Sequence, residues 1–126
     1  MAPRSPTGPA RPSARSWRRR PDVVAEIDVD ELDALLAGSD VELVDVREPA
    51  EFAQAHVPGA RLVPLGTLQG ALAELPRDRR LYVVCAVGAR SAAAAEFLVA
   101  QGFDAVNVAG GTRAWVGAGK AYDQGL

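Results

Sequence analysis

The feature that most constrains the fold is an alternation along the chain. Short apolar, β-rich runs are separated by segments whose apolar residues recur at helical spacing. Val23, Val24 and Ile27 suggest a first strand. Asp28 or Asp30 can cap a helix with Leu32, Leu35 and Leu36 on one face, ended by Gly38. Residues 41–46 read as a buried strand, Glu48-Pro49 as a turn, 50–55 as a short helix and Pro58-Gly59 as another turn. A strand is expected at 61–63. Leu65, Leu68, Leu72 and Leu75, spaced 3, 4 and 3 apart, predict a helix closed by Pro76. An apolar strand at 81–85 leads to an Ala-rich helix at 91–101, with Gly102 as its C-cap signal. A last strand at 105–108 is broken by Gly110-Gly111, and 112–117 forms a helical turn bearing Trp115.

Strands alternating with helices imply parallel strands covered on both faces, an α/β layered domain. In open parallel sheets the ligand site lies outside the carboxyl ends of the strands. Cys85 stands at such an end. The chain has 126 residues, 48% of them apolar, which suits one domain with a real core. We divide it into a basic arm at 1–21, a domain at 22–120 and a tail at 121–126.

Charge is unevenly placed. Six of the fourteen basic residues lie within 1–20, with no acid beside them. The remainder sets eight bases against sixteen acids. An acidic body argues against a nucleic-acid-binding fold. The arm reads either as a disordered tail or, from its Arg, Ser and Pro content, as a transit peptide. It lacks the apolar run of a secretion signal, and no stretch approaches the roughly 20 apolar residues that span a bilayer. With a single cysteine no intramolecular disulfide can form. A lone thiol points to a reducing setting, taken as cytoplasmic, and with no spanning stretch no membrane partner is expected.

The segment Leu81-Tyr-Val-Val-Cys85-Ala-Val-Gly88-Ala-Arg90-Ser91 carries the chemistry. A strand ends at a thiol, a short loop follows and a helix begins. Loop and helix N-terminal amides can converge on the sulfur and lower its pKa from the free value of about 8.5. Gly88 permits the inward turn of the loop, and Arg90 brings a positive charge. The same residues also suit a small apolar core cysteine at a strand end. Local chemistry alone leaves both readings open.

Four blocks go further. Asp45-Val-Arg47-Glu48-Pro49-Ala-Glu51-Phe52, His56-Val-Pro58-Gly59-Ala60, Cys85-Ala-Val-Gly88-Ala-Arg90-Ser91 and Gly110-Gly111-Thr-Arg-Ala-Trp115 occur in this order. Together they resemble the rhodanese family over residues 23–120. The resemblance implies a three-layer fold, a central parallel sheet of about five strands flanked by helices. It also implies sulfane-sulfur transfer without a cofactor. Cys85 would be the catalytic nucleophile and would carry a persulfide. Ala86, Val87, Gly88, Ala89, Arg90 and Ser91 would form the substrate-binding loop. Donors would be thiosulfate or a persulfide, and acceptors a thiol, cyanide or a protein partner in a sulfur relay. Four residues separate Cys85 from Arg90, where tyrosine-phosphatase loops have five. The smaller cradle favours a sulfur atom over a phosphate or arsenate group. The alternative is a sulfur-carrier or binding module serving a partner enzyme. The uncharged Ala86-Val87-Gly88-Ala89 stretch counts against efficient thiosulfate use.

The other blocks read mainly as support. Asp45, Arg47 and Glu48 could ring the pocket and pair with Arg90, but carboxylates repel anionic donors, so a loop-locking role is the better expectation. His56, the single histidine, precedes a turn and is expected to be structural. Glu51-Phe52 reads as helix capping and packing, and Trp115 with Gly110-Gly111 as close packing. Nothing resembles a metal-binding Cys/His cluster or a nucleotide phosphate loop.

Overall fold

The computed structural model describes residues 24–126. The expectations for the 1–21 arm and for Val23 lie outside the described residues. Five strands form one wholly parallel sheet: β1 (Ala25–Ile27), β2 (Glu42–Asp45), β3 (Arg61–Leu62), β4 (Leu81–Val84) and β5 (Ala105–Val108). Their order across the sheet is β1-β5-β4-β2-β3. Among the described residues, α1 (Val29–Gly38), α2 (Pro49–Gln54) and α3 (Ala89–Ala100) link β1 to β2, β2 to β3 and β4 to β5, and α4 (Gly111–Gly117) follows β5.

Strand alternation sorts the apolar residues to two faces. Leu81, Val83 and Cys85 join Val44, Leu98, Ala94 and Ala95 in the core beneath α3. Val84, Leu43, Val106 and Val108 face the other way, against Leu32 of α1 and Trp115 of α4. This is the α/β three-layer arrangement the alternation implied.

Local signals set the element ends. Asp28 caps α1, with its carboxylate accepting from Glu31 N at 2.8 Å while Glu31 returns a bond to Asp28 N at 3.1 Å. Pro49 opens α2, where its missing N–H costs nothing.

One expectation fails in detail. The 65–75 stripe is two 3-10 segments, Leu65–Thr67 and Gln69–Glu74, rather than an α-helix. The pairs Leu65/Leu68 and Leu72/Leu75 are three residues apart and close i-to-i−3 bonds of 3.2 Å each. Leu68 and Leu75 are buried, whereas Leu65 is exposed. Gly66 and Gly70 weaken helix propensity throughout the stretch.

Residues 121–126 lie against the domain. His56 and Asp123 exchange backbone bonds of 2.9 Å, Gly125 N donates to Ala53 O, and Trp115 Nε1 donates to Ala121 O at 2.8 Å.

Candidate active site

The site forms where β4 ends. Cys85 follows Val84, fully buried, and the chain turns through Ala86 and Val87 into Gly88, the N-cap of α3. Gly88 adopts φ +110°, a left-handed conformation that a side chain would strain. That turn aims the Gly88 amide back at the sulfur, 3.1 Å away. Ser91, in the first turn of α3, brings its hydroxyl to 3.3 Å from Sγ. These first-turn amides have no partner within the helix and are free to point at an anion.

Two influences oppose each other at Cys85. Burial pushes the thiol up. The Ser91 hydroxyl and the amides of Ser91, Gly88 and Val87 act against burial and prevail, leaving the thiol below its ordinary range. The cradle thus eases ionisation of the thiol relative to a free cysteine.

α4 holds the loop from outside. Thr112 N donates to Cys85 O at 2.8 Å and Arg113 N to Ala86 O at 3.0 Å. So close an approach needs Gly111, whose added Cβ would collide with the oxygens of Cys85 and Ala86.

The charged residues behave differently from their sequence appearance. Arg90 turns to Glu51 on α2, with two parallel bonds of 2.8 Å to Oε1 and Oε2. The guanidinium holds the Glu51 carboxyl at about 2. The Arg90 charge is therefore largely committed. Asp45 and Arg47 form a buried ion pair, with Arg47 Nε 3.0 Å from Oδ1 and Nη2 3.0 Å from Oδ2. Arg47 Nη2 also reaches Ala55 O at 2.7 Å. The pair ties the end of β2 to the end of α2. Glu48 is the N-cap of α2 and lies at the surface. Val87 and Ala89 expose their side chains at the loop crest, and Ala86 is half-buried.

His56 stacks on Phe52, with ring centroids 3.7 Å apart, and its Nδ1 lies 2.8 Å from Phe52 O. Its position is a packing one. Trp115 sits in the core on the face away from Cys85. Among the described residues, no group of three or more His, Cys, Asp or Glu is arranged to hold a metal ion.

Sequence reasoning missed two contributors. Glu51 reads in the sequence as capping and packing, because nothing local shows that α2 lies beside the start of α3. Asn107 donates to Glu26 and accepts from Ser91, standing directly behind the cradle. A polar residue inside the apolar run of β5 was the available signal.

A family model described as a rhodanese-like domain matches residues 28–118, most of the chain. The chain belongs to the rhodanese-like family. This rhodanese-like domain is 42% identical over 95 residues to a protein of Allochromatium vinosum named sulfurtransferase, covering 74% of the present chain and 89% of that protein. It is 40% identical over 78 residues to the putative sulfur carrier protein YrkF of Bacillus subtilis, covering 61% of the chain and only 42% of that protein. Among solved structures, a rhodanese-like domain protein from Staphylococcus aureus matches with TM-score 0.73 at 40% identity, covering 80% of this chain and 98% of that one. The fold expected from the four blocks is the fold of the family.

Proposed function

We propose that this rhodanese-like domain is a sulfurtransferase that moves sulfane sulfur through a persulfide on Cys85. The observation that carries the reading is the cradle itself: a buried Sγ with the Gly88 amide at 3.1 Å and the Ser91 hydroxyl at 3.3 Å. The Cys85 thiolate attacks the outer sulfur of the donor, forming a new S–S bond. The donor's own S–S bond breaks and its electron pair leaves on sulfite, from thiosulfate, or on a thiolate, from a persulfide. The negative charge now sits on the outer sulfur, where the loop amides can stabilise it. Attack by cyanide or a thiolate on that sulfur returns Cys85 to its starting state. Two half-reactions joined by a covalent intermediate predict ping-pong kinetics.

The donor class follows from charge. The side chains of 86–89 are uncharged, and Arg90 is engaged by Glu51. Such a surface offers little to the thiosulfate dianion and suits a small-molecule persulfide or a persulfide on a partner protein. The same observation favours a second reading, a carrier that receives sulfur and passes it to a partner enzyme. The sulfur-carrier name of one relative lends that reading support.

Intact-mass measurement after incubation with thiosulfate, glutathione persulfide or a cysteine desulfurase with cysteine tests both. A gain of about 32 Da, absent in Cys85→Ser, is expected. No gain from any donor sinks both readings. Turnover with cyanide then separates a catalyst from a slow carrier.

A further inference from the structure

Asn107 is a polar side chain 1% exposed in the middle of β5, and the sulfur-transfer steps above do not use it. A buried amide is costly unless its bonds are made, and here each end has a partner. The parallel register sets Asn107 beside Glu26 of the edge strand β1. Asn107 Nδ2 donates to Glu26 Oε2 at 2.8 Å, with a longer contact of 3.4 Å to Gly88 O. An ionised carboxylate only accepts, so Glu26 fixes the amide with its NH2 outward and Oδ1 toward Ser91. Ser91 Oγ lies 2.5 Å from Asn107 Oδ1 and 3.3 Å from Cys85 Sγ.

The Ser91 hydroxyl has one proton and two acceptors competing for it. With Cys85 as a thiol, S–H can donate to Ser91 Oγ while Ser91 donates to Asn107. With Cys85 as a thiolate, the sulfur needs a donor, and a Ser91 proton turned toward it leaves a buried carbonyl unpaired.

We infer that Asn107, oriented by Glu26, is a positioning residue that competes with Cys85 for the Ser91 proton and so penalises the empty thiolate. The inference rests on Cys85 being the sulfur nucleophile. Once sulfur is loaded, the charge moves to the outer atom, Sγ no longer needs the hydroxyl, and the proton turns back to Asn107. No covalent proton transfer is involved, only rotation about the Ser91 C–O bond. The competition destabilises the unloaded anion relative to the persulfide and favours sulfur uptake. Of the charged groups on the elements around the thiol, Arg90 pairs with Glu51 and Asp45 with Arg47, while α3 adds the exposed Glu96 and α4 the exposed Arg113.

The test titrates the ultraviolet absorbance of the thiolate in the full chain, as a difference from matched Cys85→Ser proteins. Glu26→Gln frees the Asn107 amide to flip, because a glutamine can accept or donate. Asn107→Leu removes the competing carbonyl. Each is expected to raise the ionisation constant of the thiol, read from the midpoint of the titration, by about threefold to tenfold. Loss of the Glu26 charge acting through space would also raise it, so both variants are repeated with Ser91→Ala. The hydroxyl competition predicts that the increase disappears there. No increase in Glu26→Gln, or an equal increase with Ser91→Ala, overturns the inference. Glu26 is exposed on an edge strand, so Glu26→Gln carries the test alone if Asn107→Leu does not fold. The readout needs no sulfur donor. Failure to form a persulfide therefore leaves this result interpretable by itself.

Discussion

At the residue scale, the site depends on small groups in strained or crowded places. Gly111 has φ +62°, and a Cβ there would lie 2.6 Å from Ala86 O, closer than real side chains come, and closer still to Cys85 O. Gly111→Ala should therefore push the Cys85 loop off α4. The expected cost is at least about 1–3 kcal/mol in denaturant unfolding, from the backbone conformation alone. Loss of the persulfide mass gain should accompany it, since the amide cradle shifts with the loop. Near-normal stability and loading would show that the close approach is dispensable. The convergence of the loop on Cys85 was legible because a thiol, Gly88 and a helix start follow one another across a strand-to-helix switch, whereas the Ser91 hydroxyl contact was not, since only the loop amides were expected to reach the sulfur. Arg90 was legible as a cation that Asp45 or Glu48 could pair, but not as the partner of Glu51.

At the element scale, the pattern predicted every strand and α-helix to within a few residues, because caps and period are local. Asp28 shows why: its side chain satisfies an amide three residues ahead, independent of the rest of the fold. Asp28→Ala should destabilise the protein by about 1 kcal/mol, measured as a lower denaturant midpoint with unchanged slope. No change would mean that packing of Leu32 alone holds α1. The 65–75 stripe was misread for an equally local reason. Spacings of three and four occur in both helix types, and only the hydrogen bonds distinguish three residues per turn from 3.6.

At the scale of the whole molecule, contacts remote in sequence close the site. Glu51 and Arg90 are 39 residues apart and join α2 to α3. With the Glu51 carboxyl held at about 2 against an ordinary 4.5, the pair's stabilisation is complete above pH 4.5. It is lost as pH falls from 4.5 toward 2, because the unfolded chain takes up the proton first. Both side chains are over a third exposed, so screening keeps the effect below about 1 kcal/mol. The melting-temperature gap between the native protein and Glu51→Gln should narrow across that window. A constant gap would exclude the linkage. Removing residues 121–126 takes away the Ala121 carbonyl that accepts from Trp115 and the strand-like pairing of Asp123 with His56. A loss of about 1–3 kcal/mol is expected in thermal or denaturant unfolding, and an unchanged midpoint would show that water replaces these bonds without cost. The sequence by itself determined the layered α/β class, the element boundaries near caps and glycines, and the thiol at a strand's carboxyl end. Each depends on neighbours a few residues away. Only the tertiary structure decided that Arg90 is engaged by Glu51 and that Asn107 and Glu26, 81 residues apart, stand behind Ser91. Those pairings depend on the strand order β1-β5-β4-β2-β3 and its register, which bring distant residues together without any local pattern to mark them.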